Sequence, residues 1–187
     1  MKAEFEMSDL GNLSYFLGIE FTKTYDGIFM HQRKYTYDVL ERFQMNGCNL
    51  VSTPIEVGTA FDELEEDTSV DKTLDRQMIG CHRYVCNTRP NIAYGVGLVS
   101  RYMESSKKSN LLTANRILKY VKGTIGHGLM LPTKANNINH NMLGFSDADW
   151  CIDKSDKKST TSYMFMLGGA PISWCSKKRR CGCIVLM

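Results

Sequence analysis

No acidic residue comes after Asp156, and no glutamate after Glu104. Two-metal phosphoryl transfer needs several carboxylates converging on ions about 3.5–4 Å apart. The end of the chain therefore contributes no acid to such a site. No apolar run approaches the roughly 18 residues of a membrane span, which excludes a transmembrane helix of ordinary length. The opening MKAEFEMSDLG lacks the apolar core of about 7–15 residues that a signal peptide needs. Seven scattered cysteines form no framework of repeated spacings, so a reducing compartment is expected. Neither Cys81 with Cys86 nor Cys175 with Cys181 and Cys183 has the second pair or the nearby histidine of a zinc finger. His31, His82, His127 and His140 stand in no recognisable nucleophile context. A glycine-rich phosphate loop is missing too: GVG at residues 95–97 falls inside a helical pattern, where close packing explains it. Internal repeats and low-complexity linkers are absent.

What is present is enough apolar content, 43% of 187 residues, for a real core. The formal net charge of +3 hides an uneven distribution. From Glu56 to Asp75 there are eight carboxylates and one basic residue, Lys72. From Arg76 to Lys122 the balance inverts to nine basic residues against Glu104 alone. The nine are Arg76, Arg83, Arg89, Arg101, Lys107, Lys108, Arg116, Lys119 and Lys122. Such a stretch suits a polyanion; a solvated basic helix face is the alternative.

Periodicity organises the chain. Around LSYFLGIEF, Leu13, Tyr15, Leu17, Ile19 and Phe21 share one face, with Ser14, Gly18, Glu20 and Thr22 opposite, which predicts one half-buried strand. YDGIFM supplies an Asp-Gly turn and a returning strand. Tyr35, Val39, Leu40 and Phe43 share a helical face, with Gly47 as the expected stop. Residues 48–73 carry Pro54, Gly58 and clustered acids, the pattern of an extended, mobile connection. Three helices should come next. Their stripes are Leu74, Met78, Cys81 and Val85; Ile92, Val96, Val99 and Met103, opened by Pro90; and Leu111, Ala114, Leu118 and Val121, closed by Gly123. Beyond Gly123 the period changes, and HGLML, MLGFSDADW, TTSYMFML and APISWC read as strands of one terminal antiparallel sheet. The fold class is α+β: a hairpin and helix, a helical bundle, then a sheet.

FEMSDLGNLSYFLGIEF, QRKYTYDVLERFQM, VSTPIE, TRPNIAY, ILKYVKGT and GFSDADW…KSTTSYMFMLGGAPISWCSKK together resemble the copia-type reverse transcriptase/RNase H segment of LTR-retrotransposon polyproteins, in order and spacing. The resemblance implies a palm and primer-grip-like hairpin and helix over 1–47, an acidic linker over 48–73, a thumb/connection-like basic bundle over 74–123, and an incomplete RNase H-like sheet over 124–187. It implies that Asp147 corresponds to the first catalytic aspartate, a Mg²⁺ ligand in the intact family; Asp149 belongs to the same motif. The family's further carboxylates and its Tyr-x-Asp-Asp turn have no counterpart in these 187 residues. Asp147 is accordingly expected to be vestigial, with no intact catalytic site, no metal site and no cofactor. The tail RRCGCIVLM departs from the family pattern. One permissible choice of codons for residues 181–187, read one base later, spells Val-Val-Ala-Leu-Ser and a stop, consistent with a frameshift. Weak, non-specific nucleic-acid contact is expected from Arg83, Lys107, Lys108, Arg116, Lys119 and Lys122, in the cytoplasm or nucleus and away from membranes.

A second resemblance is to copia-like sequences among the secreted RxLR-type effectors of oomycete plant pathogens, which enter host cells, meet host proteins and suppress immunity. The nearest approach to Arg-x-Leu-Arg is RILK at residues 116–119, inside an expected helix and after the acidic run. The incomplete terminal sheet should also leave one apolar face in solvent, either Met164 and Met166 or Tyr163, Phe165 and Leu167.

Overall fold

At Phe16 the chain reverses, where the alternating pattern predicts an uninterrupted strand. The computed structural model describes residues 11–56, 59, 71–104, 107–133, 141–148 and 159–178. Strand β1 (Tyr15–Phe16) pairs antiparallel with β2 (Ile19–Lys23) across a two-residue turn, Phe16 opposite Ile19. Leu17 and Gly18 both take positive φ, 46° and 77°, as the tight hairpin turn demands. Glycine does this without strain. It also clears space, since a Cβ on Gly18 would lie 3.2 Å from the Tyr84 hydroxyl. Leu13, Tyr15 and Leu17 are consequently exposed rather than half-buried.

The second reversal is where the sequence places it. Lys23 opposes Ile28 in β3 (Gly27–His31), and the Thr24 N–H donates to the Gly27 carbonyl at 2.8 Å. Helix α1 (Arg33–Arg42) buries Val39 and Leu40, with Tyr35 and Phe43 packed beside them. Its stop is Gln44, in place of Gly47. Gln44 sits at φ 55°, its N–H bonded to the Glu41 carbonyl, while the Met45 N–H reaches the Leu40 carbonyl at 2.7 Å. This paired arrangement satisfies the last carbonyls of the helix before glycine is reached.

Helix α2 (Lys72–Val85) starts on Asp71, whose carboxylate accepts from the Thr73 and Leu74 N–H groups. Met78, Cys81 and Val85 are buried as the stripe predicts, but Leu74 at its first turn is 40% exposed. A 3-10 turn (Pro90–Ile92) leads into α3 (Ala93–Val99), and a second (Ser100–Tyr102) succeeds it. Helix α4 (Lys108–Gly123) lies against both α2 and α3. Ile79, Ile92, Val99 and Ile117, none measurably exposed, anchor the core where the helices meet. Gly95 and Gly97 serve close packing: a Cβ on Gly95 would approach Ile55 to 2.8 Å, and one on Gly97 would approach the Ser176 carbonyl to 2.8 Å.

Residues 48–56, expected as mobile chain, pack along the helices. The Lys122 ammonium donates to the Cys48 carbonyl at 2.7 Å, Leu50 lies over Gly123, and Ile55 lies against Gly95. Ile55 has an apolar seat that the glycine leaves open, which holds this part down. The acidic run over 60–70 falls outside the described residues.

The strand expected to start the terminal sheet joins the first one. β4 (Leu129–Pro132) pairs antiparallel with β3, Gly27 opposite Pro132 and Met30 opposite Leu129, completing a sheet in the order β1-β2-β3-β4. The reason is steric as much as topological: Gly27 and Gly128 have no Cβ, and one at either site would overlap a carbonyl of the neighbouring strand. The terminal sheet is β5 (Met142–Ala148), β6 (Thr160–Leu167) and β7 (Ala170–Lys178), in that order and antiparallel. Gly168 and Gly169, at φ 58° and 83°, make the β6–β7 turn. One face of β7 docks on α3, and the Trp174 indole N–H donates to the carbonyl of Cys86, at the end of α2, at 3.1 Å. On the opposite face Tyr163, Phe165 and Leu167 are exposed, whereas Met164 and Met166 are half-buried. The described chain is thus mixed α and β, with four α-helices and two antiparallel sheets.

Candidate nucleic-acid interface

The basic residues of the middle region have three different surroundings. Arg89 is core: it is 3% exposed, and its guanidinium donates to the Thr124 carbonyl at 2.9 Å and to the Thr124 hydroxyl. Burial pulls its pKa below the ordinary arginine value. It fastens the α2–α3 corner to the end of α4.

Arg116, Lys119 and Lys122 recur every three residues along α4, as the sequence implies. Two of them are occupied by the 48–56 segment. Arg116 donates to Glu56 at 2.6 Å and to the Thr53 hydroxyl at 3.1 Å, and Lys122 holds Cys48. Lys107 and Lys108 stand at the N-terminal end of α4, with no acidic residue in its first turn. That end carries partial positive charge from the helix dipole, so two ammonium groups there add to a field that attracts anions.

Arg83 is elsewhere. It lines a groove of about 700 Å³ between the C-terminal half of α2, α3 with the turn after it, and β7. Arg101, Lys177 and Lys178 line the same groove, and among the described residues no carboxylate does. Arg83 Nε donates to the Ser100 hydroxyl at 3.2 Å, and Ser100 in turn donates to the Val96 carbonyl at 2.6 Å. Arg101 reaches across to the Thr160 hydroxyl at 2.6 Å. Cys86 is also on this wall; burial pushes its thiol up to about 12, against the pull of Arg83 and Arg89. It stays a protonated thiol at neutral pH and supplies no nucleophile.

Of the six residues expected to bind nucleic acid, only Arg83 lies in this groove. The structure adds Arg101, Lys177 and Lys178. Arg101 was visible as part of the basic stretch, but nothing local in SKK signals that β7 will bring its lysines beside α2.

Asp147 sits on β5 opposite Ser162, exposed. Directly paired residues of an antiparallel sheet share a face, so the register defines two rows toward α3. One is apolar, Phe145–Met164–Trp174; the next is polar, Asp147–Ser162–Ser176. The Ser162 hydroxyl donates to that of Ser176 at 2.9 Å. Asp149 lies outside the described residues. Among the described residues no group of three or more His, Cys, Asp or Glu stands close enough to hold a metal ion, and no helix is long and apolar enough to cross a membrane.

Residues 1–57 match the family model described as reverse transcriptase (RNA-dependent DNA polymerase). The chain is 36% identical over 180 residues to the retrovirus-related Pol polyprotein from transposon RE1 of Arabidopsis thaliana, covering 96% of this chain and 12% of that polyprotein. To the uncharacterized mitochondrial protein AtMg00810 of the same plant it is 34% identical over 183 residues, 96% of this chain and 73% of that protein. A shorter likeness, 37% over 93 residues, joins half of this chain to 63% of secreted RxLR effector protein 161 of Plasmopara viticola. No solved structure matches the chain.

Proposed function

The chain belongs to the copia-type retrotransposon Pol family, and on that premise we propose a reverse transcriptase-related segment that completes no active site itself and holds nucleic acid weakly by its phosphates. The observation that supports binding is the groove in which Arg83, Arg101, Lys177 and Lys178 meet with no carboxylate among its described lining residues. Phosphate contacts of this kind position a strand without reading its sequence. Lys107 and Lys108 add positive charge at the α4 N-terminus; Lys119 lies farther along the same helix, whereas Arg116 and Lys122 are engaged within the chain.

The non-catalytic part of the reading rests on the carboxylates. A two-metal site needs several acids held together. The described sheet offers Asp147, next to a serine pair, and these 187 residues contain no Tyr-x-Asp-Asp turn. The purified chain should therefore leave an RNA–DNA hybrid intact in Mg²⁺ or Mn²⁺. Cleavage that vanished in Asp147→Asn would overturn this.

Binding is tested by anisotropy of a labelled duplex across salt concentrations. Each phosphate neutralised on B-DNA contributes a log–log slope of about −0.9, so engagement of the whole groove gives about −3 to −4. Charge reversal at the exposed Arg83 and Lys177 should weaken binding to every sequence alike, and more than reversal at Arg116 and Lys119. Affinity that did not change between low and moderate salt would contradict the electrostatic account.

The likeness to an RxLR effector favours a second reading less well. Its nearest motif, RILK, lies in α4 with Ile117 and Leu118 in the core, 0% and 1% exposed. Those residues serve packing.

A further inference from the structure

Beside the basic groove, and sharing Ala93, Trp174, Cys175 and Ser176 with it as a common wall, is a second cleft of about 230 Å³. Its character is different. Tyr94 enters from α3 and Phe145 from β5, half-exposed at 50% and 55%, with Met164 and Trp174 behind them. Half-exposed aromatic rings on two elements facing one slot leave flat apolar surface uncovered, and stacking a planar ring there removes it from water. Among the described residues lining this cleft, Asp147 is the carboxylate. Its negative charge, opposed to the cations of the neighbouring groove, turns a phosphate away from the slot and toward Arg83 and Lys177.

We propose that the two clefts form one site for single-stranded nucleic acid, in which the backbone runs along the basic groove and an unstacked base inserts between Tyr94 and Phe145. The wall of four residues that the two clefts share, and the charges on either side of it, select the occupant. An anionic chain bearing flat apolar side groups matches a cationic groove with an aromatic slot beside it. A duplex keeps its bases stacked and cannot fill the slot, so it uses the groove alone. The inference rests on the phosphate-binding reading above and adds a preference for single strands to it.

The test compares a short labelled oligodeoxyadenylate with an abasic oligomer of the same length, which keeps the phosphates and loses the bases. Stacking one base contributes about 1–3 kcal/mol, so the oligodeoxyadenylate should bind at least about fivefold more tightly. Tyr94→Ala with Phe145→Ala should abolish that difference and leave the abasic affinity and its salt slope unchanged. Both side chains are half-exposed, so the fold tolerates the change; Trp174 is spared because its indole holds Cys86. Equal affinity of the two oligomers for the unaltered chain would overturn the slot while leaving the groove standing. Abasic binding untouched by Arg83→Glu with Lys177→Glu would overturn the groove, and the shared site with it. Failure to bind either oligomer would overturn both.

Discussion

Acidification from about pH 7.5 to about pH 5 should destabilise the protein by about 2 kcal/mol through His82 alone, approaching about 4–5 kcal/mol near pH 3. His82 is on α2, fully buried, and neither ring nitrogen has a hydrogen-bond partner among the described residues. Burial disfavours the imidazolium and pulls the pKa down from 6.5 to about 3. Between those two values the unfolded chain takes up a proton that the folded chain refuses. The stability is therefore intact above about pH 6.5 and is lost progressively as pH falls toward 3. Urea midpoints at the two pH values measure the loss. His82→Leu removes the titration and the two buried unsatisfied nitrogens together, whose desolvation costs about 1–3 kcal/mol. It should be at least as stable as the parent at neutral pH and lose less on acidification. A variant with the parent's full pH dependence would show that other groups cause it.

Gly128→Ala should cost about 3 kcal/mol or more, the upper range for overpacking. A Cβ at Gly128 would overlap the Met30 carbonyl and lie 2.9 Å from the Phe29 ring and 3.0 Å from the His31 Cβ. The conflict is with the backbone of β3, held in register on both sides by β2 and β4, so relief requires moving β4 away. Fast amide exchange at Leu129 and Leu131, with a lowered denaturation midpoint, would report that separation. Gly47→Ala is the comparison: no described atom lies within 4 Å of a Cβ there, and a surface change of this kind stays within about 0.5 kcal/mol. Equal stability of the two variants would refute the steric account.

Both predictions concern residues whose importance no local pattern announces. His82 falls in a helical segment that reads correctly, but its burial depends on the helices packed over it. Gly128 precedes a strand whose partner lies far back along the chain. The same division runs through the candidate site: the basic stretch was countable, yet its charges disperse to the core, to the 48–56 segment and to the groove.

Features carried by near neighbours along the chain were legible from residue order. Met78, Cys81 and Val85, or Ala114, Leu118 and Val121, recur at the helical period, and apolar side chains at that spacing must bury together. Asp26-Gly27 and Gly168-Gly169 mark the two reversals they predict: Gly168 and Gly169 take the positive φ that other residues resist, whereas Gly27 begins β3 and leaves room for the Leu131 carbonyl. Family membership was legible for a similar reason, as motifs in order. Packing was needed to set the turn at Leu17-Gly18, the stop at Gln44, the sheet that β4 joins, and the meeting of Arg83 and Arg101 with Lys177 and Lys178. Strand pairing runs through backbone groups common to every residue, so a strand's own side chains do not name its partner. A cationic groove is likewise a sum over separate elements, and its field exists only once packing has brought those charges together.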